Sequence, residues 1–357
     1  MEITYTEAVI LYCLKQLKGE RTIFSLYHLY QGKKSSQTIQ DAHLYHLTPF
    51  FQAFPFISRE ELARQIERME KKSLLDKKSS EHFILTSTGD LKLGEYFQAN
   101  TLPPKYLDGW RHHHLTALFW ERLSILVQVC SNLVYQKKSF IPIQNKLETL
   151  DWVKAFIKKR HVGRMGLSRT LFFELLNCFQ RDKTIDPSIL VLRLTGHDRI
   201  GLTSGQAAEL LGMDHTRYQL EFLNILHFLI GTVSDEAVEF PLLNALIPEA
   251  EKPVPFTLST EKTFQLLNRG YTVEQISRIR NLKRSTIEDH IVEIALHIKN
   301  FDLAAYVPKD KEKKILEAAK ETSAKKLKLK LIREYAEDAS YFEIRLVLAR
   351  NGDQKWN

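Results

Sequence analysis

Residues 259–298 read STEKTFQLLNRGYTVEQISRIRNLKRSTIEDHIVEIALHI, and three helices with two tight connections are written into them. Phe264, Leu266 and Leu267 belong to a first helix that stops at Arg269-Gly270, where glycine accepts the left-handed backbone of a helix C-cap. Thr272-Val-Glu-Gln275 is a capping box, in which the hydroxyl and the amide side chain each satisfy an orphan backbone group at the start of a second helix through Ile276 and Ile279. Arg280-Asn281-Leu282-Lys283 is the turn. A third helix opens at Arg284 with Ile287, Ile291, Ile294 and Ile298 on its inner face. This order is a helix-turn-helix, whose second helix braces the third across the DNA major groove while the third presents its N-terminal side chains.

The expected DNA contacts at that N-terminus are Arg280, Lys283, Arg284, Ser285 and Thr286, cations and hydroxyls at a helix end whose dipole attracts phosphate. Glu288 and Asp289 follow one turn on. Carboxylates there repel the phosphate backbone, although either can accept a hydrogen bond from cytosine N4, so the helix faces either DNA or a protein partner. From Pro308 to Arg333, ten lysines and arginines stand against four carboxylates, an excess of six. Lys325, Lys326, Lys328 and Lys330 in that stretch are a second set of expected phosphate contacts. The competing reading is a solvated helix face laced by pairs such as Lys313 with Glu317.

Outward from this motif, Pro248-Glu-Ala-Glu-Lys-Pro253-Val-Pro255 interrupts helical periodicity as a linker does, and Asn100-Thr-Leu-Pro103-Pro104 is a softer break. The chain therefore reads as mainly α, with a winged-helix-like domain over 1–102, a helical domain over 105–247 and a helix-turn-helix domain over 254–357. In the first block, apolar spacing predicts helices through Ala8 to Leu17 and Ile23 to Tyr30. A capping box at Ser58 and Glu61 opens another, and Leu74-Leu75 and Phe83 to Thr86 form a hairpin closed by Thr88-Gly89. Winged helices serve protein contacts as well as DNA. The middle block steps at helical spacing from Leu115 to Val134 and from Leu171 to Phe179. It carries a capping box at Thr203 and Gln206, and a run from Tyr218 to Gly231 too apolar to face phosphate.

Composition bounds the function classes. The 357 residues are 44% hydrophobic and carry a formal charge of +8, which permits an anionic partner without requiring one. No uncharged apolar run has the length of a membrane span, and the first residues lack a secretory cleavage pattern, so the expected location is cytoplasmic, without membrane contact. Cys13, Cys130 and Cys178 have apolar neighbours and no metal-binding spacing, which predicts buried free thiols. No phosphate-binding loop occurs, and Gly163-Arg-Met-Gly166 lacks the dinucleotide fingerprint. His112-His113-His114 reads as a surface histidine run. No catalytic group, metal or cofactor is expected, and the rival to an accessory role is a transcription regulator.

Gly270-Tyr-Thr-Val-Glu-Gln-Ile276, Leu282-Lys-Arg-Ser-Thr-Ile-Glu-Asp-His290 and Ser340-Tyr-Phe-Glu-Ile-Arg-Leu-Val-Leu-Ala349 together resemble the helicase-associated helix-turn-helix domain at the C-terminus of some RecQ-type DNA helicases. The whole architecture, with that domain ending a helical chain that has no ATPase motor, is similar to the YpbB family of low-GC Gram-positive bacteria. The resemblance implies a non-catalytic accessory chain, whose gene neighbours that of a short RecQ-type helicase and which supplies in trans a module other helicases carry in cis. It further implies a place in DNA repair or recombination, and it makes Glu288 and Asp289 part of a family pattern suited to meeting a protein. Residues 1–250 are not explained by it.

Overall fold

The computed structural model describes residues 2–137, 139–160, 164–248, 257–298, 301–323 and 329–351, and it is mainly helical with one two-stranded sheet among those residues. Contacts divide the chain into two compact units that interleave along the sequence. A middle unit takes residues 1–10, 49–54 and 91–250, and a terminal unit takes 11–48, 55–90 and 251–357. The contacts thus join much of the first sequence block to the last, where a linear reading keeps the two apart.

In chain order the first block contains α1 (Tyr5–Leu17), α2 (Ile23–Tyr30), α3 (Ser36–Leu44), α4 (Arg59–Lys71), β1 (Leu75–Ser79), β2 (His82–Leu85) and α5 (Ser87–Ala99). The sequence reading lacks α3, which Ser35 caps by accepting from Thr38 N. It also lacks α5, which begins where a turn was expected at Thr88-Gly89. Helices α2, α3 and α4 followed by the antiparallel hairpin give the winged-helix order. Only half of the Ser58 capping box forms: the hydroxyl accepts from Glu61 N at 3.1 Å, while the Glu61 carboxylate turns to Arg64 and Gln65. Gly89 sits so close to β1 that a Cβ there would meet the Leu74 carbonyl oxygen at 2.1 Å.

The middle unit is built on α6 (Gly109–Val134), which Asp108 caps, with α7 (Leu147–Lys159), α8 (Arg164–Gln180) and α11 (His215–Asp235) against it. Short helices α9 (Ser188–Val191), α10 (Ser204–Leu210) and α12 (Pro241–Asn244) complete it. Among the described residues α6 is the one helix long and apolar enough to cross a membrane. Phe119, Leu123, Leu126 and Cys130 on it are core residues packed with Tyr218, Leu229 and Ile230 of α11.

The histidine run is a surface feature only in part, since His114 is exposed and His113 half-buried while His112 turns inward. His112 is buried and its ring lies 5.2 Å from that of His227. His227 accepts from Asp108 N at Nδ1 (3.0 Å), and its Nε2 stands 3.1 Å from Thr116 Oγ1. The Thr116 hydroxyl already donates to the His112 carbonyl, so Nε2 carries the proton and the neutral tautomer is set. His112 and Thr116, one turn apart, are buried on the face of α6 that meets α11, while Arg111 and His114 stay exposed. Cys13, Cys130 and Cys178 are buried free thiols, as expected.

The rest of the terminal unit comprises α13 (Leu258–Leu267), α14 (Val273–Arg280), α15 (Arg284–His297), α16 (Lys309–Ser323), α17 (Leu329–Tyr335) and α18 (Tyr341–Arg350). Both reciprocal bonds of the capping box are present at Thr272 with Gln275 and at Ser340 with Glu343. Ile276, Ile287, Ile291, Val307, Ile315, Ile332, Ile344 and Val347 form its core, and α3 packs on α15 and α18 with Leu44 against that core.

Candidate nucleic-acid interface

The helix-turn-helix takes the form read from its sequence. Gly270 ends the α13 connection with φ +83°, and Asn281 adopts the left-handed conformation (φ 49°) between α14 and α15. Ser277 fixes that turn, donating from Oγ to Leu282 O at 2.5 Å while Leu282 N donates to Ser277 O. Asparagine tolerates positive φ better than most side chains, so the turn needs no glycine.

Three polar side chains hold the helices together from inside. Glu293 of α15 is buried and accepts from Thr257 N (2.6 Å) and Thr260 Oγ1 (2.6 Å), so it closes the N-terminus of α13 across the domain. Burial pushes its carboxyl above the ordinary range, against the pull of those hydrogen bonds. Arg280 donates to Ser259 O at 2.6 Å, to Ser259 Oγ at 3.0 Å and to Thr263 Oγ1. Thr263 Oγ1 also lies 2.8 Å from Nδ1 of the buried His290. Burial, with the Arg280 cation beside it, brings His290 down to about 4, so its ring is neutral. The hydroxyls of Thr257, Thr260 and Thr263, spaced by three residues along α13, were the sequence signal for this network.

The expected DNA contacts therefore separate. The Arg280 guanidinium is a brace between α13 and α14, with both of its terminal nitrogens bound inside the domain. Arg284 is exposed, but it is paired with Glu274 at 2.8 Å and Glu288 at 2.9 Å. Lys283 and Ser285 are exposed and Thr286 is half-buried. Among the described residues, Lys283 and the exposed Arg278 make no ion pair, and Arg278 is a surface cation the sequence reading passed over. Glu288 and Asp289 are both committed within the unit, Glu288 to Arg284 and Asp289 to Arg345 at 2.7 Å.

Beyond its first turn, α15 is no open reading helix. Ile287, Ile291 and Ile294 are joined in burial by Val292, Glu293 and Ala295, because α13, α14, α18 and α3 all pack around α15, while Ile298 lies just past the end of the helix and is half-buried. Arg345 of α18 also donates to Gln40 of α3 at 3.3 Å, tying the first sequence block to this helix.

The lysine-rich region is partly paired. Lys311 binds Glu343 at 2.9 Å, Lys314 lies 3.5 Å from Asp338, and Lys313 lies 3.9 Å from Glu317 as the solvated-face reading expected. Lys309 is exposed. Lys325, Lys326 and Lys328 lie outside the described residues, as does the side chain of Lys330.

Residues 259–348 match a family described as a helix-turn-helix domain. Over 356 residues, 99% of each chain, the protein is 34% identical to Protein YpbB of Bacillus subtilis (strain 168). The chain belongs to the YpbB family. No solved structure matches it. The family match to the helix-turn-helix domain ends inside α18, so this YpbB-family domain contains α13 to α18 together and is larger than the three-helix motif alone.

Proposed function

We propose that this YpbB-family chain is a non-catalytic, DNA-associated accessory protein that binds DNA weakly and without strong sequence preference. In this reading its partner is a RecQ-type DNA helicase, and it works in DNA repair or recombination in the cytoplasm. The observation that carries the DNA part is the burial of α15 beyond its first turn. A helix enclosed by four others offers DNA its end and not its length, so contacts fall on phosphates and few base edges are within reach. Arg278, Lys283 and Ser285 are the surface groups at that end, and the unpaired cations support attraction without specifying a sequence. The same burial weighs against the transcription-regulator reading, which needs a side-chain row along the groove. The helicase partner rests on the sequence resemblance of the paired motifs around Thr286 and Ser340.

The test is DNA binding of the full chain across a salt series, beside Arg278→Glu and Lys283→Glu. A surface engaging two to four phosphates gives a slope of log K against log salt of about −2 to −4. Each reversal should weaken every duplex sequence alike and make the slope shallower. Discrimination of one operator by several orders of magnitude would overturn the reading in favour of a regulator. Co-purification from cells of the tagged protein with or without a RecQ-type helicase decides the partner.

A further inference from the structure

A groove of about 1100 Å³ lies beside the first turn of α15, bordered by the start of α14, the 301–306 segment and the N-terminal end of α18. Its floor is aromatic. Phe301 stacks on Tyr306 with ring centres 5.9 Å apart, and Tyr306 meets Phe342 edge-on at 6.1 Å. Tyr271 on the wall is 40% exposed.

The charge on this groove is opposite in sign to that of the chain. Arg284 is one cation shared by two lining carboxylates, Glu274 and Glu288, and Asp302 is exposed, accepting from Ala304 N. Among the described residues, the carboxylate surplus of that trio and the Asp302 charge have no cation of their own. The other charged lining is matched: Glu343 by Lys311 and Ser340 N, and Arg345 by Asp289. Such a lining repels phosphate, and the groups proposed to meet DNA, Arg278, Lys283 and Ser285, are not part of it. A purely apolar occupant would cover the rings and strip water from unmatched carboxylates, which is costly. A segment that carries lysine or arginine next to a large apolar side chain meets both demands. Its cations lie against carboxylates and ring faces, and its apolar group lies on the Phe301, Tyr306 and Phe342 floor.

We infer that this groove docks a basic peptide segment with an apolar anchor, supplied by a protein partner. The inference rests on the reading of the chain as a partner-binding accessory protein, and it does not depend on which protein the partner is. It gives Glu288 the role in protein contact expected of it and leaves Asp289 as an internal tie to Arg345.

The experiment uses the full chain and a short labelled peptide alternating lysine with leucine and tryptophan, with a counterpart in which glutamate replaces lysine. Saturable binding of the lysine peptide and none of the glutamate peptide is expected. A Glu274→Gln, Glu288→Gln, Asp302→Asn variant, which keeps side-chain shape while removing charge, should weaken it about tenfold. Tyr271→Ala, on an exposed ring, should weaken it about threefold and keeps the test decisive if the triple variant melts early. Absence of saturable binding, equal affinity in both variants, equal binding of the glutamate peptide, or displacement by duplex DNA would overturn the proposal. Peptide binding without helicase co-purification would support the groove and overturn only the identity of the partner.

Discussion

At Arg280, two oxygens of Ser259 and the hydroxyl of Thr263 hold a guanidinium against α13, and the same cation helps keep His290 unprotonated. A cation next to a helix-turn-helix turn reads equally as a phosphate contact or as a brace, since residue type alone does not show where its donors point. His290 carries a measurable consequence. Its folded pKa of about 4 lies below the ordinary 6.5, so between those values the unfolded chain binds the proton and the folded chain does not. Stability contributed by the neutral ring is present above pH 6.5 and is lost as the pH falls toward 4, by order of 3 kcal/mol for this residue. His112 (about 4) and His227 (about 3), lowered chiefly by burial, act in the same direction in the middle unit. Urea unfolding at pH 7.5, 6 and 5 should show the midpoint falling over this range, and His290→Gln should flatten the fall in the terminal unit. A midpoint independent of pH between 7.5 and 5 would contradict the assignment.

Among the elements, α15 decides what the helix-turn-helix can do. The residues buried on it, at 287, 291, 292, 294 and 295, make more than one stripe, so the helix is covered on several sides. The inner face was legible from the isoleucine spacing. The other side was not, because Val292 and Ala295 are also common on half-exposed faces, and only the arrival of α3 and α18 covers them. Val292→Lys tests this directly. On a groove-facing helix the added cation would cost little and would strengthen DNA binding. In this fold it places a charge at a fully buried position, with an expected loss of about 3 kcal/mol or more in denaturant unfolding. An unchanged midpoint with tighter DNA binding would show that α15 is open.

For the whole molecule, the grouping of residues 11–48 and 55–90 with 251–357 bears on how the C-terminal domain stands alone. A fragment over 254–357 retains Phe264, Ile276, Ile287, Ile291 and Ile344, and helical circular dichroism is expected of it. It lacks α3, whose Gln40 holds Arg345 and whose Leu44 packs on the core. The fragment should therefore melt below the full chain, and co-expression with residues 11–90 should raise its midpoint. A fragment as stable as the intact protein would show that α3 contributes nothing. The sequence by itself determined what depends on near neighbours: the capping boxes at Thr272 and Ser340, the Gly270 and Asn281 turns, the hairpin and the isoleucine face of α15. Hydrogen bonds and steric limits within a few residues set those features wherever the segment lies. Only the tertiary structure decided that Arg280 is a brace, that Asp289 is tied to Arg345, that His112 is buried, and that α3 encloses α15. Each of these depends on groups tens to hundreds of residues apart, such as Gln40 and Arg345, whose meeting no local pattern encodes.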